Sequence, residues 1–236
     1  STDLLVPSDA FLPYENQLVV LAYFFSDATN PQPEQLSALR RWFWLSGFSE
    51  RYRGAVEGIL EQDLTAVDNL IMGDNDAMHV RISLVDNDIL KRQFWKNSAF
   101  CKTFVVMLAN NAPKNLTNGE AIDIREALTS FNNKEFHHIF PKDFLKKLGV
   151  NSDKRNALAN ICMLSASQNK HISNDPPSVY LTKSYSALSK DAGPVFKSNL
   201  IPESTDAPWR TDKYELFLKQ RAKIILNEIH KPCGTT

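Results

Sequence analysis

Up to about residue 130 the apolar residues of this chain recur at three- and four-residue spacing, the period of helices that bury one face. Gln17 to Phe25 reads as a buried helix, entered through Pro13-Tyr14-Glu15-Asn16 and broken by Asn30-Pro31-Gln32-Pro33. Leu36, Leu39, Arg40, Phe43 and Trp44 mark a second helix. Gly47 and Ser49 punctuate it, with Ser49 a candidate N-cap for the next one. Val56, Ile59, Leu60, Leu64, Val67, Leu70 and Ile71 form a third stripe, ended by Gly73. Further helices are predicted around Asp88 to Phe94 and from Ser98 to Asn110. Trp42, Phe43 and Trp44 suggest a stacking platform, but they lie on a helical stripe and are assigned to the core.

Near Asn132 the pattern changes. Glu135 to Phe140 reads as a short strand ended by Pro141, and Asp143 to Leu148 as a short helix stopped by Gly149. Asn151 to Arg155 is expected to be a polar loop, and Ile161 to Leu164 a second strand. Ser165 is placed to cap a helix through Asn169 and His171 that Pro176-Pro177 ends. Tyr214 to His230 closes the chain as an amphipathic helix with Leu216, Phe217, Ile224, Ile225 and Ile229 on its apolar face. The expected fold is mainly α: a helical subdomain over 1–130, a strand–strand–helix unit over 131–190, and a C-terminal helical extension over 191–236 packing on the first.

Hydrophobic residues make up 43% of the chain, enough for a packed core, and the 23% that are charged argue against disorder. The longest apolar run, Leu18 to Phe25, is far short of the ~20 residues a bilayer-spanning helix needs. Cys101, Cys162 and Cys233 form no CxxC pair, which speaks against a zinc knuckle or a disulfide framework and for a reducing, cytoplasmic setting. The net charge of zero conceals an uneven distribution. Residues 1–133 hold 11 Lys+Arg against 17 Asp+Glu, a net of −6, whereas 134–190 hold 9 against 4, a net of +5. A basic segment in an acidic chain suits a phosphate-binding surface; a solvated face with chance clustering accounts for it equally well.

Within that segment stand His137-His138-Ile139-Phe140-Pro141, then Asn160, then Asn169-Lys170. A lone histidine is more often structural than catalytic, and adjacent histidines on a flat strand face opposite ways. Taken together, the set resembles the HNH (ββα-metal) nuclease superfamily: a His pair, an apolar pair and Pro, then Asn, then a second Asn nine residues on. Further wording is similar to the C-terminal half of GmrSD-type proteins, which are type IV, modification-dependent restriction systems acting against phage. That wording is Phe11-Leu12-Pro13-Tyr14-Glu15-Asn16-Gln17, Arg41-Trp42-Phe43-Trp44, Arg51-Tyr52 and Asn174-Asp175-Pro176-Pro177-Ser178-Val179-Tyr180-Leu181. The resemblance covers roughly residues 10–230 and implies that an N-terminal nucleotide-hydrolysing domain of the same protein precedes this half.

What the resemblance implies is a DNA endonuclease that nicks double-stranded DNA with little sequence preference. His138 is then the general base, since a neutral imidazole accepts a proton near neutral pH. His137 and Asn169 are the expected ligands of one divalent cation, Mg²⁺ or Mn²⁺, with Ni²⁺ suited to the imidazole. Asn160 is expected to tie the two arms of the motif together and keep His138 oriented. Lys170 and His171 either reach a neighbouring phosphate or face solvent, and Glu135 either supports the site from behind or lies on the surface. Lys142, Lys146, Lys147, Lys154 and Arg155 are expected to contact the DNA backbone, making binding salt-dependent. The competing reading is an HNH-shaped module that holds DNA or a protein without cutting, since fold does not fix function.

Overall fold

The apolar spacing of the first half is realised as helices. The computed structural model describes residues 6, 11–54, 56–116, 118–127, 137–164, 172 and 174–234. Among these the chain is mainly helical, with one two-stranded antiparallel sheet. No described helix is long and apolar enough to cross a membrane. By its internal contacts the chain divides into two units. One comprises the described residues of Ser1–Ser83, Asn97–Val106 and Ile229–Thr236; the other comprises those of Leu84–Lys96 and Met107–Glu228.

The first unit contains α1 (Glu15–Asp27), α2 (Pro33–Phe48) and α3 (Val56–Ile71), with the opening turns of α5 (Ala99–Asn110). α1 buries only one face: Gln17, Val20 and Phe24 point inward, while Leu18, Val19 and Phe25 are exposed. The expectation of a buried helix over 17–25 is thus corrected to a half-buried one, because an uninterrupted apolar run hides the 3.6-residue period that packing selects. The Gln17 Nε2 donates to the Phe43 carbonyl at 3.0 Å and to the Ser46 hydroxyl at 2.8 Å, which satisfies the NH₂ end of the amide inside the core, while its buried Oε1 has no hydrogen-bond partner among the described residues. Trp42, Phe43 and Trp44 are buried, as a core assignment requires.

Ser49 is not an N-cap; it closes α2 at its C-terminus, its N–H bonding the Leu45 carbonyl at 2.9 Å. The helix runs through Gly47 because this glycine is a packing residue. A Cβ there would lie 2.3 Å from Thr103 Oγ1, so only a bare backbone lets α5 approach so closely.

In the second unit the elements are α4 (Asp86–Lys91), β1 (His137–His138), α6 (Lys142–Lys147), α7 (Ser152–Arg155) and β2 (Ile161–Cys162). α8 (Pro177–Leu188), α9 (Ala192–Ser198) and most of α10 (Tyr214–Cys233) follow. Four expectations change here. The strands end short of Phe140 and Leu164: the described pairing is His137 with Cys162 and His138 with Ile161, after which the chain bends through Ile139 and Phe140. The polar loop at 151–155 contains a helical turn, because the Asn151 side chain accepts the Lys154 N–H at 2.9 Å and caps it.

Pro177 opens α8, occupying the first helical position where its missing N–H costs nothing. On α10 the inward stripe is Phe217, Leu218, Arg221, Ala222 and Ile225, so Leu216, placed by sequence on the buried face, stands 48% exposed. The expected helix through Asn169 and His171 lies outside the described residues.

Candidate functional site

The site is built on the corner between β1 and β2. Ile139 N–H donates to the Asn160 carbonyl at 2.9 Å, continuing the ladder one step past the strands. There the Asn160 side chain takes over. Its Oδ1 accepts the Phe140 N–H at 2.8 Å, and its Nδ2 donates to the Phe140 carbonyl at 3.0 Å and the Arg155 carbonyl at 3.3 Å. Asn160 is fully buried, and a buried carboxamide with both ends engaged acts as a rigid cross-link. The two histidines stand on this corner. His137 is 1% exposed and its strand neighbour His138 is half-buried, in keeping with the alternation of a strand.

Two further side chains hold the corner from outside the motif. Tyr180, on α8, donates its hydroxyl to the Ile139 carbonyl at 2.7 Å; burial pushes that phenol well above its ordinary value, so it stays a donor. Replacing it with phenylalanine leaves the buried Ile139 carbonyl short of a donor and is expected to lower the unfolding free energy by about 1–2 kcal/mol. Urea denaturation checks this, and an unchanged midpoint would show the bond contributes nothing.

Arg221, on α10, is buried and donates to three main-chain carbonyls: Ala159 at 2.8 Å, Leu200 at 3.0 Å and Asn199 at 3.3 Å. Burial lowers its pKa to about 10, which leaves it charged at neutral pH. The Phe140 ring packs against Tyr214 and Phe217 of α10, centroids 5.0 and 4.9 Å away. Burial pushes the Cys162 thiol up to about 12, so beside His137 it is a neutral, inert packing group.

On the solvent side, His138 Nε2 lies 3.2 Å from the Oδ1 of Asn156, the residue that closes α7. Asn156 is in turn paired with the segment Arg92–Phe94, antiparallel across an isolated bridge between Gln93 and Ala157. A cleft of about 330 Å³ lies along this pairing, lined by Leu90, Lys91, Gln93, Lys154, Glu215 and Leu218 among others.

Lys142, Lys146 and Lys147 are exposed on α6. Lys154 is exposed on α7 and forms a 2.7 Å ion pair with Glu215, while Arg155 is half-buried. Glu135, Asn169, Lys170 and His171 lie outside the described residues. Among the described residues no group of three or more His, Cys, Asp or Glu side chains gathers. The ligand pair expected from sequence, one imidazole and one carboxamide, is not a cluster of that kind.

Asn156, Tyr180 and Arg221 were not singled out by sequence. The only signal available for any of them was the Tyr180 position within the Asn174–Leu181 wording.

No family model matches the chain, and no solved structure matches it. An uncharacterized protein of Methanocaldococcus jannaschii is 25% identical over 244 aligned residues, taking in 92% of this chain. The chain spans 40% of the length of that relative.

Proposed function

We propose that this chain is the nuclease part of an anti-phage, modification-dependent restriction protein, an HNH endonuclease that nicks double-stranded DNA. The observation that supports it best is the corner itself: adjacent histidines on β1, paired with β2, with the Asn160 carboxamide cross-linking the turn.

In this reading the half-buried imidazole of His138 takes the proton of a water as its oxygen attacks phosphorus and the P–O3′ bond breaks. Asn160, Tyr180 and Arg221 keep the corner rigid, so that the imidazole meets the water in one orientation. His137 and Asn169 would be the donors for a divalent cation. A neutral imidazole nitrogen and an amide oxygen together suit Mn²⁺ or Mg²⁺, with Ni²⁺ also acceptable. Such a cation, when bound, supplies charge stabilisation for the phosphate and the leaving oxygen. Lys142, Lys146 and Lys147, exposed on one short helix next to the corner in sequence, would neutralise backbone phosphates, and Lys154 would exchange its Glu215 partner for one. Lys170 and His171 would follow the ligand Asn169 toward a flanking phosphate. Recognition of modified DNA falls, in this proposal, to an N-terminal nucleotide-hydrolysing domain of the same protein.

The burial of His137 favours the second reading, an HNH-shaped module that binds DNA or protein without cutting, since a ligand for a phosphate-bound cation needs access. Supercoiled plasmid separates the two. The nuclease converts it to the open circle with Mg²⁺ or Mn²⁺ and leaves it supercoiled in EDTA. Retention of the plasmid in a gel shift with no conversion in any of these metals would favour the binding module.

A further inference from the structure

We infer that Asn156 is a positioning residue for His138, holding its imidazole in one ring orientation and one tautomer, with the proton on Nε2 and the basic lone pair on Nδ1. This rests on the reading of His138 as the general base, and it names which nitrogen does the work.

The argument begins with how little freedom Asn156 has. It closes α7 with φ −99° and ψ 24°, its N–H turned back to the carbonyls of Ser152 and Asp153 at 3.3 and 3.2 Å. Its own carbonyl accepts the Phe94 N–H at 2.8 Å, and its side-chain Nδ2 donates to the Phe94 carbonyl at 2.6 Å. One step further on, Leu158 N–H donates to the Arg92 carbonyl at 2.8 Å, so the pairing extends beyond Asn156. Main chain and side chain of Asn156 are both fixed to a neighbour whose own side chain is buried.

The chemistry then follows from donor and acceptor types. A main-chain carbonyl only accepts, so the end of the carboxamide facing Phe94 is the NH₂ end. The opposite end, Oδ1, faces His138 at 3.2 Å from Nε2. An amide oxygen has no proton to give, so a neutral imidazole at this contact carries its hydrogen on Nε2. The lone pair that removes the water proton is therefore on Nδ1. With the wrong nitrogen protonated, an active-site imidazole presents a donor where the reaction needs an acceptor.

The proton position is read from the full chain with ¹⁵N-labelled histidine, without DNA or metal and at a pH where the ring is neutral. The His138 signal is identified by its loss in His138→Gln. The parent is expected to show a single tautomer protonated at Nε2. Asn156→Leu, which removes the acceptor, is expected to average the two tautomers and to lower kcat for plasmid nicking by about 10- to 100-fold with KM unchanged. Asn156→Asp keeps an acceptor oxygen and is expected to restore the Nε2 proton. A parent ring protonated on Nδ1 would overturn the inference even if neither variant folds. So would an Asn156→Leu protein with the parent's spectrum and kcat. Absence of nicking in the parent defeats the nuclease reading alone, because the tautomer is measured without it.

Discussion

Replacing His138 with alanine is expected to slow metal-dependent nicking by about 10²- to 10⁴-fold, the range that a positioned general base contributes. In the proposed nuclease the effect should fall on kcat, since that reading assigns the imidazole to the water and the exposed lysines of α6 to the DNA backbone. A half-buried side chain at the edge of the corner is also a mild site for truncation, so the fold should survive, and circular dichroism would verify it. Initial rates of open-circle formation for parent and variant, at matched concentration and metal, give the answer. Equal rates would show that the cutting comes from a contaminant or from another residue, and the assignment of His138 would fall.

The second large effect concerns stability. Arg221→Met keeps much of the apolar stem of Arg221 and removes its guanidinium, so the donors to Ala159, Leu200 and Asn199 go at once. Each buried carbonyl left short of a donor costs about 1–3 kcal/mol. After some relaxation the total is expected to be about 3–5 kcal/mol, in the range reserved for lost buried networks. For a chain of this size that corresponds to a fall in Tm of roughly 6–20 °C. Thermal unfolding of parent and variant measures it, and a shift below about 2 °C would show that the carbonyls find other partners. Arginine suits this position because its planar, weakly hydrated fork reaches several acceptors at one desolvation cost. Lysine, a compact point charge, is not an equivalent replacement.

Sequence revealed the helices whose apolar period is clean. α2, α3 and α5 appear close to where Leu36–Trp44, Val56–Ile71 and Ser98–Asn110 place them. It concealed α8 because its opening Pro177, with Pro176, reads as the end of the helix before it. In a first turn, where no N–H is needed, proline is instead a start signal. The corner was legible for a related reason. His137, His138, Phe140 and Asn160 are close in sequence to the turns that join them, and their spacing survives as a pattern.

The contacts made by Asn156, Tyr180 and Arg221 were not legible. Tyr180 and Arg221 reach main-chain carbonyls 41 and 62 residues away, and a main-chain carbonyl has no letter in a sequence. Asn156 meets His138 18 residues away only because residues 92–94 hold it there. Such partners are found only once the chain has been folded.

The separation of Arg221 from Ala159 also has a meaning in time. A ribosome adding about 5–20 residues per second makes the arginine roughly 3–12 s after the alanine whose carbonyl it caps. During that interval both histidines and Asn160 have already been polymerised, yet the last clamp on their turn does not exist. Assembly of this corner therefore waits on translation of α10.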